Sequence, residues 1–259
     1  MKVIAFVNNL VGLRSLETVM QHRDTIVAIV VHPRESSQYL DPILAASAIH
    51  QPVVFEAGKL RDPGSIEKIN ALQPEIGVSA FFGHILKPEI INLFPRGIVN
   101  VHPAYLPYNR SAYPNVWAIV DRTPAGATIH FIDEGVDTGD IIDQVEIEVA
   151  PADTGESLYQ KLETACIELF ARTWPAIAQA PGRISAKAQE PSEGSLHRVY
   201  DTRQIDRIDL DKNYRAGDLL NIIRARTFPG HKGAYFEVGG DRYFLRIEID
   251  KEEPEENSQ

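Results

Sequence analysis

Asn100 and His102 stand two residues apart in the segment GIVNVHPAY. Side chains along an extended strand alternate faces, so this spacing puts an amide and an imidazole on the same side. A carboxylate, Asp137, follows in the acidic turn DEGVDTGD. Together the three groups suit acyl transfer to an amine. The amine is itself the nucleophile, so no activated Ser or Cys is needed. Asn100 and a protonated His102 can donate to the oxyanion that forms, and Asp137 can keep the imidazolium charged and oriented. Spacing alone leaves a plainer reading open, a polar strand end and a turn carboxylate bonded to neighbouring loops.

Such a strand end needs a sheet to position it. Short β-branched runs at Lys2–Asn8, Thr25–His32, Val53–Glu56, Ile76–Ala80 and Ile98–His102 alternate with amphipathic stretches at Arg14–His22, Ser65–Leu72 and Pro88–Leu93. That alternation predicts βαβ units around a mainly parallel sheet, which places its ligand sites at strand carboxyl ends. Two nearby strands, Thr128–Ile132 and Ile141–Val149, flank the acidic turn. A long helix should start near Asp153 or Thr154 and run toward Ala178, with Thr154 and Ser157 giving half of a capping signal. Residues 181–197 read as a linker by composition. Beyond it lie a helix over Ala216–Arg226 and a hairpin whose runs Gly233–Val238 and Arg242–Ile249 meet at Gly239-Gly240-Asp241.

Composition removes several classes. The net charge is −10, and residues 190–259 hold 11 basic against 15 acidic side chains, so no nucleic acid or anionic membrane is expected as partner. The amino terminus reads directly as a strand, without signal-peptide features, and no apolar run is long enough to span a bilayer. With Cys166 as the one cysteine, an internal disulfide and a cysteine metal cluster are impossible. No metal is expected, and the chain is expected to be cytoplasmic.

The segments NVHPAYLP and HFIDEGVDTGDII closely resemble the formyltransferase family that uses 10-formyltetrahydrofolate. Glycinamide ribonucleotide, methionyl-tRNA and sugar-amine N-formyltransferases belong to it. The resemblance covers nearly all of residues 1–182. It implies a Rossmann-like α/β fold with an open, mostly parallel sheet as the catalytic domain (1–182), while pattern and composition place a small α+β appendage at 190–250 and an acidic tail at 251–259. It also implies catalytic roles for Asn100, His102 and Asp137. A folate pocket is implied at Phe82, Gly83, His84, Ile85 and Leu86, closed by Asp133, Glu134, Gly135 and Val136. LPYNRSAYPNVW and the appendage look most like the sugar branch, in which Tyr105, Tyr108, Asn109, Arg110 and Tyr113 would hold a nucleotide-linked amino sugar. The nearest resemblance is to enzymes acting on a dTDP-4-amino-4,6-dideoxyhexose, and the appendage implies a homodimer. Methionyl-tRNA and glycinamide ribonucleotide formyltransferases are the alternatives, disfavoured by the acidic carboxy-terminal region and the Gly-poor turn NNLVGLRS. A formyltetrahydrofolate hydrolase is another. Its usual amino-terminal regulatory domain is not expected here, since the first strand begins at Lys2.

Overall fold

The structure, a computed structural model, describes residues 1–252, so most of the expected acidic tail lies outside the described residues. Strands β1 (Lys2–Val7), β2 (Thr25–Val31), β3 (Val53–Glu56), β4 (Ile76–Ala80) and β5 (Ile98–His102) run parallel in one sheet. Three further strands follow along the chain, β6 (Arg110–Ser111), β7 (Ala125–Phe131) and β8 (Ile141–Ile147). β7 adds antiparallel to β5 and β8 adds antiparallel to β7, giving the seven-stranded order β3-β2-β1-β4-β5-β7-β8.

Period-two alternation buries both faces of this sheet. On one side Val3, Ala5 and Val7 of β1 pack with α1 (Asn9–Gln21), α2 (Leu40–Ser47) and the long helix spanning Gly155–Gln179. On the other, Ile4 and Phe6 pack with residues of α3 (Pro63–Ala71) and α4 (Pro88–Ile91). A strand buried on both faces reads as a continuous apolar run, which is why β1, β2 and β4 were legible in the sequence. After α5 (Pro114–Val120) comes the long helix, α6 (Gly155–Gln179), which opens with a full capping box. Thr154 Oγ1 accepts the Ser157 N–H, and Ser157 Oγ accepts the Thr154 N–H.

The chain departs from its sequence reading in several places, among them the second strand of the hairpin, which spans Asp241–Phe244 and stops short of the expected Ile249. Helix α1 begins at Asn9, five residues before Arg14, because Gly12 sits inside it rather than ending the turn. A Cβ there would lie 3.0 Å from Val7 Cβ, so glycine lets the helix close onto the sheet. Helices α2 and α5 have no counterpart in the sequence reading. Finally, the linker is not free: β9 (Leu196–His197) within it pairs in parallel with β6.

The appendage carries α7 (Thr202–Asp206), α8 (Ala216–Ala225) and the hairpin β10 (Tyr235–Val238) and β11 (Asp241–Phe244). Gly239 and Gly240 both have positive φ, as a two-residue hairpin turn of the primed type requires. α8 docks through Ala225 on Leu158, Leu162, Val116 and Ile119. Gly155 permits that approach, since a Cβ there would meet the Ala225 carbonyl oxygen at 2.2 Å. No helix among the described residues is long and apolar enough to cross a membrane.

Candidate active site

At the carboxyl end of β5, Asn100 and His102 open into a cleft of about 480 Å³. Asp137 reaches it from the loop between β7 and β8. Its Oδ2 lies 3.6 Å from His102 Nε2, longer than a hydrogen bond but within ion-pair reach. His102 is buried, and its Nε2 has no hydrogen-bond partner among the described residues, which leaves that nitrogen available toward the cleft. Asp137 Oδ2 also accepts the Ser111 N–H at 2.9 Å. Burial alone would raise the Asp137 carboxyl. His102, His130, the Ser111 N–H and the Arg110 charge outweigh burial and hold it below the usual carboxylate value.

A residue that the sequence reading did not single out is His130. Antiparallel pairing of β7 with β5 sets His130 directly opposite Asn100. His130 Nδ1 is 2.8 Å from the Phe131 carbonyl, which can only accept, so Nδ1 carries the proton. Nε2 of the neutral ring is then the acceptor, and Asn100 Nδ2 donates to it at 3.1 Å. This fixes the Asn100 amide with its NH2 toward the ring and leaves the second N–H for another oxygen. Burial pushes the His130 imidazole below its ordinary value against the pull of Asp137, keeping it neutral for this task. Asp137 Oδ1 is also 3.6 Å from His130 Nε2. An ionisable residue within the mostly apolar run ATIHF was the available signal, but its partner becomes visible only with the strand register.

Of the residues expected around a folate, Phe82, Gly83, His84, Ile85, Leu86, Asp133, Gly135 and Val136 line this same cleft. Glu134 is exposed and does not line it. Phe82 and Leu86 also belong to the core under the sheet, so packing fixes that wall, whereas Ile85 is 60% exposed at the rim. Gly83 takes positive φ, and so does Phe81, a non-glycine residue in the left-handed region. Asn109, Ser111, Tyr113 and Asp137 share that conformation. Such strain concentrates where a site is shaped by the structure around it.

The segment 105–113 does not form the single surface expected of it. Asn109 is buried, with its amide donating to Thr123 Oγ1 and accepting from Ser195 Oγ, so its side chain ties this segment to the fold and lines neither cavity described here. Tyr105 packs beside Gly126 of β7, Tyr108 is half-buried, and neither lines the catalytic cleft. Arg110 donates through Nε to the Ser195 carbonyl and lies by Asp137. Only Tyr113 faces a second cavity, of about 730 Å³, between α1, α5, α6 and the appendage. The physical reason is the repeated left-handed turn at Asn109, Ser111 and Tyr113, which sends neighbouring side chains in different directions.

This second cavity meets the first at Pro103. The first residues of α1, Asn9 and Leu10, line one wall, and His231 and Lys232 of the appendage line another. Tyr159 and Glu163 project from α6. Burial, joined by Glu163, raises the Tyr159 hydroxyl, and burial raises the Glu163 carboxyl. These residues are spread over more than two hundred positions, so no local motif announces the cavity. Among the described residues, no group of three or more His, Cys, Asp or Glu side chains is placed to hold a metal ion.

Residues 7–173 match the family described as formyl transferase, and residues 201–251 match the N-formyltransferase dimerization C-terminal domain. The chain belongs to the formyl transferase family. Its appendage marks it, within that family, as an N-formyltransferase. A dTDP-4-amino-4,6-dideoxyglucose formyltransferase of Mycobacterium tuberculosis is 36% identical over 159 residues, covering 61% of this chain and 67% of the relative. Among solved structures, a 4-N formyltransferase from Francisella tularensis superposes with a TM-score of 0.81 at 24% identity, covering 96% of this chain and 98% of that one. A formyltransferase from Anoxybacillus kamchatkensis, in complex with UDP-4,6-dideoxy-4-formamido-L-AltNAc and tetrahydrofolate, gives a TM-score of 0.58 at 27% identity. That match covers 79% of this chain and 89% of the other.

Proposed function

We propose that this enzyme transfers the formyl group of 10-formyltetrahydrofolate to the amine of a nucleotide-linked amino sugar, a dTDP-4-amino-4,6-dideoxyhexose. The observation that carries this reading is a pair of joined cavities. One holds Asn100, His102 and Asp137 with an apolar wall suited to a flat heterocycle. The other bears cationic and hydrogen-bonding groups and meets the first beside His102 at Pro103. The pterin would lie between Phe82–Leu86 and Asp133–Val136. The nucleotide diphosphate would lie at the α1 amino terminus, whose free N–H groups favour an anion, near His231 and Lys232. The name of the Mycobacterium relative, a dTDP-4-amino-4,6-dideoxyglucose formyltransferase, supports the choice of acceptor.

In the reaction the unprotonated amine attacks the formyl carbon, and the carbonyl electron pair moves to oxygen. The free Asn100 N–H and the His102 imidazolium donate to that oxyanion. Asp137 stabilises the imidazolium, and the proton lost by the amine passes to the Asp137–His102 pair. The bond from carbon to the folate nitrogen then breaks, and that nitrogen leaves protonated. The product is an N-formyl sugar with free tetrahydrofolate.

The same reading divides the chain into a catalytic unit over 1–182 and an appendage over 190–250 that pairs with a second copy. The hairpin leaves Val238, Tyr243 and Phe244 between 41% and 52% exposed, which suits an interface. It also places the enzyme in the cytoplasm, where the free, buried thiol of Cys166 stays reduced. The test is tetrahydrofolate release with dTDP-, UDP- and GDP-amino sugars. Release that depends on a dTDP-4-amino sugar supports the proposal. Release without any amine would assign a hydrolase, and formylation of charged initiator tRNA alone would replace the acceptor.

A further inference from the structure

We infer that Gln189, in the linker after α6, is a positioning residue for the reaction: its side-chain amide clamps the Asp137–Gly139 turn and so holds the Asp137 carboxylate against His102. This inference rests on the role given to Asp137 above. The turn holds itself only in part, through Asp133, whose Oδ1 accepts from the Gly135 N–H and the Thr138 hydroxyl. Asp137 is a non-glycine residue at φ 54°, a left-handed conformation that persists only where its surroundings impose it. Gln189 Nε2 donates to both the Asp137 carbonyl, at 3.0 Å, and the Gly139 carbonyl, at 2.7 Å. Both hydrogens of one amide are thus spent on this turn. Its other side is pressed on β7, where a Cβ on Gly139 would meet the Phe131 carbonyl oxygen at 1.9 Å.

The linker is itself tied down on each side of Gln189. Lys187 exchanges two backbone hydrogen bonds of 2.7 Å with Ile141, at the start of β8. Further on, the Arg110 and Ala112 amides of the β6 segment donate to the Ser195 and His197 carbonyls. The amide between them, on Ser111, points the other way and donates to Asp137 Oδ2. The linker therefore fixes the backbone of Asp137 directly through Gln189 and its carboxylate indirectly through β6.

The chemistry of Gln189 separates positioning from mere packing. Its Oε1 is buried and has no partner among the described residues. A buried acceptor without a donor is unfavourable, and an apolar side chain of the same length would avoid that cost. The N–H donors are what the site uses. The margin they protect is narrow, since Asp137 Oδ2 is already 3.6 Å from His102 Nε2, and misplacing a catalytic group by about 1 Å can cost ~10²-fold in rate.

The test compares Gln189→Met, which keeps length and loses both donors, with Gln189→Lys, which keeps donors at similar reach. Asp137→Asn is measured in parallel on the full chain. In Gln189→Met, kcat should fall at least ~10-fold while KM for folate and sugar stays within about twofold, because the lost contact acts in the transition state. The acid limb of kcat should also move to higher pH, as a carboxylate released from His102 but still buried binds its proton more readily. Gln189→Lys should regain most of kcat. A folded Gln189→Met with kcat within about twofold of the parent and an unmoved acid limb would overturn the inference. So would equal losses in the Met and Lys variants that track thermal stability alone. If Gln189→Met does not fold, Gln189→Leu, an uncharged side chain without hydrogen-bond donors, decides by the same readouts. An inactive Asp137→Asn beside an unaffected Gln189→Met removes only the role of Gln189, whereas an active Asp137→Asn removes the reading of the site as well.

Discussion

Replacing His130 by Phe tests whether Asn100 works because its amide is held, and not simply because it is present. Phe fills nearly the same volume, so β7 keeps its packing while two hydrogen bonds disappear. One is the 3.1 Å bond that Asn100 donates to Nε2; the other is the 2.8 Å bond from Nδ1 to the Phe131 carbonyl. The carbonyl left without its donor costs about 1–3 kcal/mol, offset in part by the more apolar ring, so the midpoint of thermal unfolding should fall by a few degrees. Removing an oxyanion donor altogether costs ~10²–10³ in kcat. Asn100 remains in this variant but is free to rotate, so the loss should be ~10–10², with KM for folate little changed. The assay is steady-state tetrahydrofolate release across a double-mutant cycle with Asn100→Ala. If His130 acts through Asn100, the double variant is no slower than Asn100→Ala alone. Losses that multiply, or a folded His130→Phe with parental kcat, would refute the reasoning.

Other outcomes follow from the same geometry. Asp137→Asn and His102→Asn should each lower kcat by ~10² or more with the fold intact by circular dichroism, because a charge pair at 3.6 Å is worth about 4.6 kcal/mol at an effective dielectric near 20 and the neutral amide recovers part of it. Stability should decline as pH falls below about 6.5, since burial holds folded His130 below that value and the unfolded chain takes the proton first. Equilibrium unfolding against pH should show this limb in the parent and lose it in His130→Phe. A second decline belongs below about 3.9, where the unfolded carboxyl is protonated before Asp137, whose folded value is depressed. Lys232→Ala should weaken dTDP binding about fivefold by calorimetry, the effect of about 1 kcal/mol at an exposed cation, whereas Arg110→Ala should leave dTDP affinity unchanged because Arg110 lies beside Asp137 and Ser195.

What the sequence disclosed was whatever is local. Strands Val53–Glu56, Ile76–Ala80 and Ile98–His102 have the bounds read from their β-branched runs, and the period of two placed Asn100 and His102 on one face. The hairpin turn at Gly239-Gly240 was legible for the same reason, since positive φ at two successive positions favours glycine. Features made by pairing distant segments were hidden. His130 meets Asn100 only through the β5–β7 register, and the two-residue strand Leu196–His197 has no pattern of its own. The second cavity is assembled from Asn9, Tyr159 and Lys232, on three elements far apart in the chain. Helix α1 was read as starting late because Asn8, Asn9 and Gly12 are turn formers by type. Here Gly12 serves close packing on the sheet. Asn109 misled in the opposite sense, its exposed-looking sequence context concealing a buried amide bonded to Thr123 and Ser195.

The measurement that tests the central claim most directly is product analysis by mass spectrometry. The purified enzyme is given 10-formyltetrahydrofolate and a dTDP-4-amino-4,6-dideoxyhexose, with His102→Asn run alongside. The account predicts a nucleotide sugar heavier by one formyl group in place of hydrogen, formed in step with tetrahydrofolate and nearly absent with His102→Asn. Formate accumulating while the nucleotide sugar stays unmodified, or equal yields from both proteins, would contradict it.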